Sequence, residues 1–335
     1  MKQWLLVLVA CIVIAAWPLV VQDVFLQRIG ALVLLAAISA SAWNLLGGYA
    51  GQVSVGHAVY FGIGAYSSLV VYTRLGWPPI AGAPLGVVVS MVAGAAVGTP
   101  TFRLRGHYFS MATIAAAELF RILAANWPLL GAAVGLMGPP VPRTAWDLSF
   151  ISPIPYHYLF LAVLMLLLGL TWLMQRSRMG YYLAAIRGGD RAARSLGVPV
   201  LRYKLYALLL SAAFTSVAGS LYAVMVGFID PDSALGILIS VKMLIIAALG
   251  GAGTLFGPLV GAIILIPLEE TTNAVFGGGG TGLTFIVYGA IILLVARFQP
   301  GGIAAIWQAI TTRRASRETA RMASDETTRR TIHVP

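Results

Sequence analysis

The chain has 335 residues, 59% of them hydrophobic and 10% charged, with a mean hydropathy of +0.88. Soluble domains carry about 25% charged residues, so water is excluded as the main solvent; a bilayer, where a spanning helix needs roughly 20 mostly apolar residues, is left. The net charge of +11 lies between and after the apolar runs, which is how cytoplasmic loops look rather than a nucleic-acid surface, and unbroken runs such as LVLLAAISASAW exclude the alternating strands of an outer-membrane barrel.

The first run covers residues 4–21. Leu8-Val9-Ala10-Cys11 resembles a lipoprotein cleavage box, but the apolar stretch continues past it to Val21 and reads as a first spanning helix. Cys11 is the one cysteine, which leaves no internal disulfide and no cysteine-based metal cluster. Further runs fall at 28–46, 53–72, 80–100, 108–125, 156–174, 204–228, 236–250, 255–270 and 282–298. The expectation is an all-α polytopic membrane protein of about ten transmembrane helices. Spans three, eight and nine are short and Gly-rich, and one of them is a candidate for a re-entrant or broken segment.

Basic residues set the orientation. Arg103 and Arg105 separate spans four and five; Arg176, Arg178, Arg187, Arg191, Arg194, Arg202 and Lys204 crowd the link between spans six and seven; Arg297 and six further arginines follow span ten. An even number of spans separates each region from the next, so all three, and both termini, are expected in the cytoplasm. Only Arg28, Arg74 and Arg143 fall in outer loops. The division is then a permease domain over 1–304, with a cytoplasmic loop at 175–204 and a periplasmic loop at 126–155, and a basic tail over 305–335. Long loops are often functional. The tail reads as solvated chain attracted to anionic lipid or as a partner site.

In chain order, the first candidate site opens span three, where Gln52, Ser54, His57 and Tyr60 stand among glycines. They either line a translocation path or pack helices closely. On span five, Glu118 and Arg121 are three residues apart and share a helix face, close to mid-membrane by rise per residue. They form either a static ion pair or a gate that re-pairs. In the 175–204 loop, Gly188-Gly189-Asp190 breaks the preceding run and Asp190 is placed to cap a helix of about two turns over Arg191–Leu196. Gly197 suits a left-handed ending and Pro199 stops it. Short helices are marginal alone, so this one either needs a partner groove or is an ordinary basic loop. Arg187, Asp190, Arg191, Ala192, Ala193, Leu196 and Gly197 are its candidate contact residues. Asp230-Pro231-Asp232 and Glu269-Glu270 are placed at outer span ends, to meet a basic partner or only water. Lys242 on span eight has no evident role. Leu46-Gly47-Gly48 and Leu249-Gly250-Gly251 hint at a duplication.

No lysine follows the phosphate-loop pattern, and the histidines His57, His107, His157 and His333 are scattered, so no metal cluster is indicated. ATP-driven transport would need another chain for hydrolysis.

Several of these stretches resemble the branched-chain amino-acid ABC transporter permease family, in particular its LivM-type inner-membrane subunits. They are Asn44–His57, Leu104–Phe109 with Glu118–Leu123, Arg194–Gly197, Leu249–Thr254 and Arg297–Ile303, over roughly residues 28–304. The resemblance implies an ATP-binding-cassette importer of branched-chain amino acids, not an enzyme. It implies as partners a periplasmic substrate-binding protein, a second, paralogous permease and two cytoplasmic ATPases, which hold ATP and Mg; this chain binds no cofactor. The helix near 190–197 would dock into an ATPase. The family's Gly-Gly-x-Asn/Asp-Gly element is replaced by Gly131–Met137, which bears on the outer vestibule. Urea, amides or aromatic acids are alternative cargoes, and an ion-coupled secondary transporter is a further alternative.

Overall fold

The computed structural model describes residues 14–104, 106–138, 147–275 and 289–290. Residues 14–20 form α1, followed by α2 (Val24–Asn44), α3 (Ala58–Leu75), α4 (Gly82–Thr101), α5 (His107–Asn126), α6 (Pro153–Arg176), α7 (Arg178–Gly188), α8 (Asp190–Ser195), α9 (Val200–Val226), α10 (Pro231–Leu235), α11 (Ile237–Gly250) and α12 (Gly257–Val275). A single two-residue ribbon, β1 (Leu136–Met137) against antiparallel β2 (Phe228–Ile229), closes one end of the bundle. Side-chain caps fix several starts: Asp23 accepts from Phe25 N at 2.8 Å before α2, and Ser177 from Met179 N at 3.2 Å before α7.

Among the described residues, six helical stretches are long and apolar enough to cross a membrane: Val24–Tyr49, Pro79–Thr101, His107–Asn126, Pro153–Arg176, Val200–Val226 and Pro231–Gly250. The protein is an all-α, multi-pass membrane protein. Most of the first expected span, all but two residues of the last, Arg105, Arg143 and the tail from 305 lie outside the described residues.

The Gly-rich spans differ most from expectation. Span three was expected from 53, but α3 begins at Ala58, after a π-turn at Leu45–Tyr49 and an extended stretch. His57 hydrogen-bonds Ser211, which lies 11 residues into α9, so α3 starts about 16 Å above the beginning of α9. Span eight was expected over 236–250 and is α11, which the short helix α10 precedes across an extended Gly236 with ψ 142°. The 14 residues of α11 span about 21 Å, short of a ~30 Å hydrocarbon core. Span nine runs on to Val275, which places Glu269 and Glu270 inside α12 rather than at an outer end.

Central α2 is wrapped by α6, α9, α11 and α12, and α3 packs between α4 and α9. Phe160, Leu34, Ile38, Leu164, Ile246 and Leu265 fill the core. Between α3 and α9 the approach is close enough to require glycine: a Cβ on Gly64 would meet Ser216 O at 1.9 Å, and one on Gly219 would meet Phe61 O at 1.9 Å. Among lipid tails, which give apolar side chains no reason to cluster, such backbone proximity is what holds helices together.

Candidate coupling and translocation site

One face of the bundle carries α7 and α8 and is strongly basic. A cavity of about 1110 Å³ opens there, lined by Arg103 from the α4–α5 turn and by Arg187, Arg191, Arg194, Arg202 and Lys204, with Asp190 as its one acid. Two of the three basic clusters therefore share one side, as the span parity requires; the third lies outside the described residues.

The short helix over 190–195 is present, and Gly197 takes the left-handed conformation at φ 81°. Asp190, however, is not its cap. Gly189 holds that position, and the Asp190 carboxylate accepts from Lys204 Nζ at 2.5 Å. Lys204 is 2% exposed, so the cation is buried in α9 and α8 is tied down onto it. Ala193 is buried against the bundle, while Arg191, Ala192, Arg194, Leu196 and Gly197 are exposed. Leu196 is 81% exposed, an apolar knob flanked by arginines and facing away from the protein.

Arg187 points the other way. Its side chain lies against Gly51 and Gly253, and Nη2 donates to Ala252 O at 3.4 Å. Asn44 joins the same two turns: its Nδ2 donates to Thr254 O at 2.9 Å and its Oδ1 accepts from Gly253 N at 2.7 Å. The helix before α8, α7, is thus in direct contact with both glycine-rich turns through Arg187.

The four candidate pathway residues separate. Gln52 lines the basic cavity. Ser54, His57 and Tyr60 are buried inside the subunit. Ser54 O accepts from Trp43 Nε1 at 2.7 Å. His57 Nε2 is 2.8 Å from Ser211 Oγ, and that hydroxyl donates to Ala42 O at 2.6 Å. A serine has one hydroxyl hydrogen, so His57 is the donor and carries its proton on Nε2. Tyr60 meets the imidazole edge-on at 5.6 Å. This is a packing histidine, fully enclosed.

Glu118 and Arg121 pair, at 2.6 and 3.0 Å, and Arg121 Nη1 also reaches Asp232 Oδ1 at 2.7 Å. The guanidinium is the hub of a triad on the outer surface of the subunit. Asp230 and Asp232 are therefore not free loop ends. Asp230 forms a capping box with Ser233 at the start of α10, and Asp232 binds α10 to α5. Glu269 likewise pairs with Lys242 of α11, at 2.5 Å.

A broken span, a tied docking helix and an apolar bundle can be compared with known proteins. The family described as branched-chain amino acid transport system, permease component, matches residues 25–296. This chain belongs to that family. The high-affinity branched-chain amino acid transport system permease protein LivM of Escherichia coli K12 is 30% identical over 328 residues, 90% of this chain and 75% of that protein. LivM of Salmonella typhimurium is 29% identical over the same shares. LivH of E. coli K12 is 25% identical over 80% of this chain and 90% of its own length.

The permease's decisive tethers were missed in sequence because each joins distant residues. Asn44 to Gly253 spans 209 positions and Arg121 to Asp232 spans 111. The Asp-Pro-Asp-Ser pattern at 230–233 was the one available signal, since it spells a capping box.

Proposed function

We propose that this permease is half of the membrane channel of an ATP-binding-cassette importer that carries branched-chain amino acids across the bacterial inner membrane. The observation that carries the reading is α8: an exposed Leu196 on a helix clamped by Asp190–Lys204, with Arg187 of the adjoining α7 against both glycine-rich turns. A push on such a helix is transmitted to the broken spans, so the chain works as a mechanical relay and needs no catalytic group of its own. Two cytoplasmic ATPases supply the push by closing on ATP and Mg, a periplasmic binding protein delivers the cargo, and a second, paralogous permease completes the channel. The exposed Glu118–Arg121–Asp232 triad supports this last pairing, because ions facing lipid are disfavoured and a protein surface would cover them. Lipid surrounds the rest, and nucleic acid has no part.

In this reading the basic face is cytoplasmic, the ten spans put both termini there, residues 1–304 form the permease domain and 305–335 a separate tail. The test is leucine uptake into proteoliposomes holding the four-component transporter of two permeases and two ATPases, with the binding protein supplied outside. We expect uptake that requires internal ATP, stops with hydrolysis-dead ATPases and survives an ionophore. Uptake by the permease alone, or collapse with the ionophore at normal ATP, overturns the proposal.

A further inference from the structure

Inside the subunit, between the broken α10–α11 element and helices α2, α9 and α12, lies a second cavity of about 170 Å³. Cavities of about 150 Å³ hold a ligand the size of benzene. The wall from α2 and α11 is aliphatic, including Leu32, Leu35, Met243 and Ile246. Phe61, Ile239 and Ile266 extend this apolar lining, into which two charges of opposite sign are set, the Lys242 ammonium and the Glu270 carboxylate, with Ser233 as a further polar group.

Lys242 Nζ and Glu269 Oε2 form an ion pair at 2.5 Å. Glu270 makes no ion pair or hydrogen bond among the described residues. Glu269 and Glu270 lie 12 and 13 residues into α12, about 18–20 Å from its start, and a charge set in a largely apolar lining is costly unless it is paired. A helix-pinning ion pair requires neither a cavity beside it nor a second carboxylate.

We propose that this cavity binds one zwitterionic amino acid with an aliphatic side chain, a site that rests on the import reading above. The substrate carboxylate meets Lys242, which has three donor hydrogens. The α-ammonium meets Glu270, and the side chain lies against Leu35, Met243 and Ile246. Solutes lacking either charge, such as amides or urea, satisfy only part of this set.

The test uses the reconstituted four-component transporter, with radiolabelled leucine and alanine and uptake normalised to assembled complex. Lys242→Met and Glu270→Gln are each expected to cut leucine uptake at least tenfold. The double variant Lys242→Glu with Glu269→Lys rebuilds the pair with its charges exchanged and is expected to stay inactive; recovered uptake would mean that the pair only holds helices together. Should charge variants fail to assemble, the neutral Leu35→Phe decides: it narrows the cavity and is expected to shift selectivity from leucine towards alanine at least fivefold. Unchanged selectivity, or full activity in Lys242→Met and Glu270→Gln, overturns the site while leaving leucine import intact. A wild-type complex that imports no leucine overturns the import reading itself, and the site falls with it.

Discussion

The glycine-rich turns after α2 and after α11 begin with the same three residues, Leu-Gly-Gly, and take opposite forms. After Leu249 the chain reverses tightly: Gly250 is so close to the start of α12 that a Cβ on it would meet Gly257 O at 1.7 Å and Gly261 N at 2.9 Å. After Leu46 the chain instead runs through a π-turn and an extended stretch, and α3 does not begin until Ala58. A Cβ on Gly51 in that stretch would meet only Arg187, with Cγ, Cα and Cβ at 3.3–3.6 Å. The shared Leu-Gly-Gly is tightly enclosed in both turns, since a Cβ on Gly48 would meet Gly253 N at 2.4 Å; the two differ downstream of it, where the first runs on through Gly51 before α3 begins. It is the turn after α2 that borders the basic cavity, through Gly51 and Gln52.

Substitution at the glycines breaks this contrast most sharply. Gly250→Ala forces backbone apart and is expected to abolish accumulation of folded protein in the membrane. Gly51→Ala meets the strain of φ +68° and the flank of Arg187 at 3.3 Å, the strain being about 1–2 kcal/mol, so the protein is expected to fold and melt a few degrees lower. Fluorescence-detected size-exclusion profiles with thermal ramps separate the two; equal behaviour would show that the turns are not differently held. Next in size is Asn44→Ala, which strips Gly253 N and Thr254 O of their partner. At about 1–3 kcal/mol for each buried group left unsatisfied, the midpoint should fall further than for Gly51→Ala. An unchanged midpoint would mean that packing alone joins the turns.

The all-α membrane architecture was legible because bilayer solvation acts on every residue of a long run, and the short helix α8 because Gly189, Gly197 and Pro199 punctuate it locally. What was not legible follows from chemistry at a distance. The Val53–Gly56 segment is apolar and small-residue-rich, a composition equally compatible with helix and extended chain, so nothing marked the late start of α3. Asp190 has the right side chain for a cap, but Lys204, fourteen positions on, offers a buried charge partner that outweighs a backbone N–H. Lys242 looked anomalous because its counter-ion stands on the next helix. The site residues split for the same reason: Arg191 and Leu196 face outward as a local helix wheel would have it, whereas Arg187 is claimed by two turns from elsewhere in the chain.

Arg187 sharpens the comparison from the other direction, since it touches both turns while sitting next to the docking helix. Arg187→Met keeps much of the side-chain bulk and loses the bond to Ala252 O, which at 3.4 Å is long. A weak hydrogen bond of this kind contributes about 0.5–1 kcal/mol, so stability should barely move. Transport per ATP hydrolysed is the quantity expected to fall, several-fold, because the contact between relay and turns is weakened without unfolding either. Uptake and hydrolysis falling together would place Arg187 in ATPase docking instead.

The smallest effect is expected at the upper end of the turn after α2. Ser211→Ala removes the acceptor of the His57 Nε2–H and frees Ala42 O from its extra donor. One buried donor left unpaired costs about 1–2 kcal/mol, offset in part because the carbonyl keeps its place in α2. Van der Waals contact between Trp43, His57 and Tyr60 is untouched, with ring centroids 6.4 and 5.6 Å from the imidazole, so the ring should stay where it is. Transport is expected to be near normal and its pH profile between 6 and 8 unaltered, since a fully enclosed imidazole with its proton committed to Nε2 has no path to exchange charge with solvent. A new pH dependence in Ser211→Ala, or loss of uptake at unchanged stability, would show that the turn above Gly51 is part of the moving pathway rather than the fixed frame against which it moves.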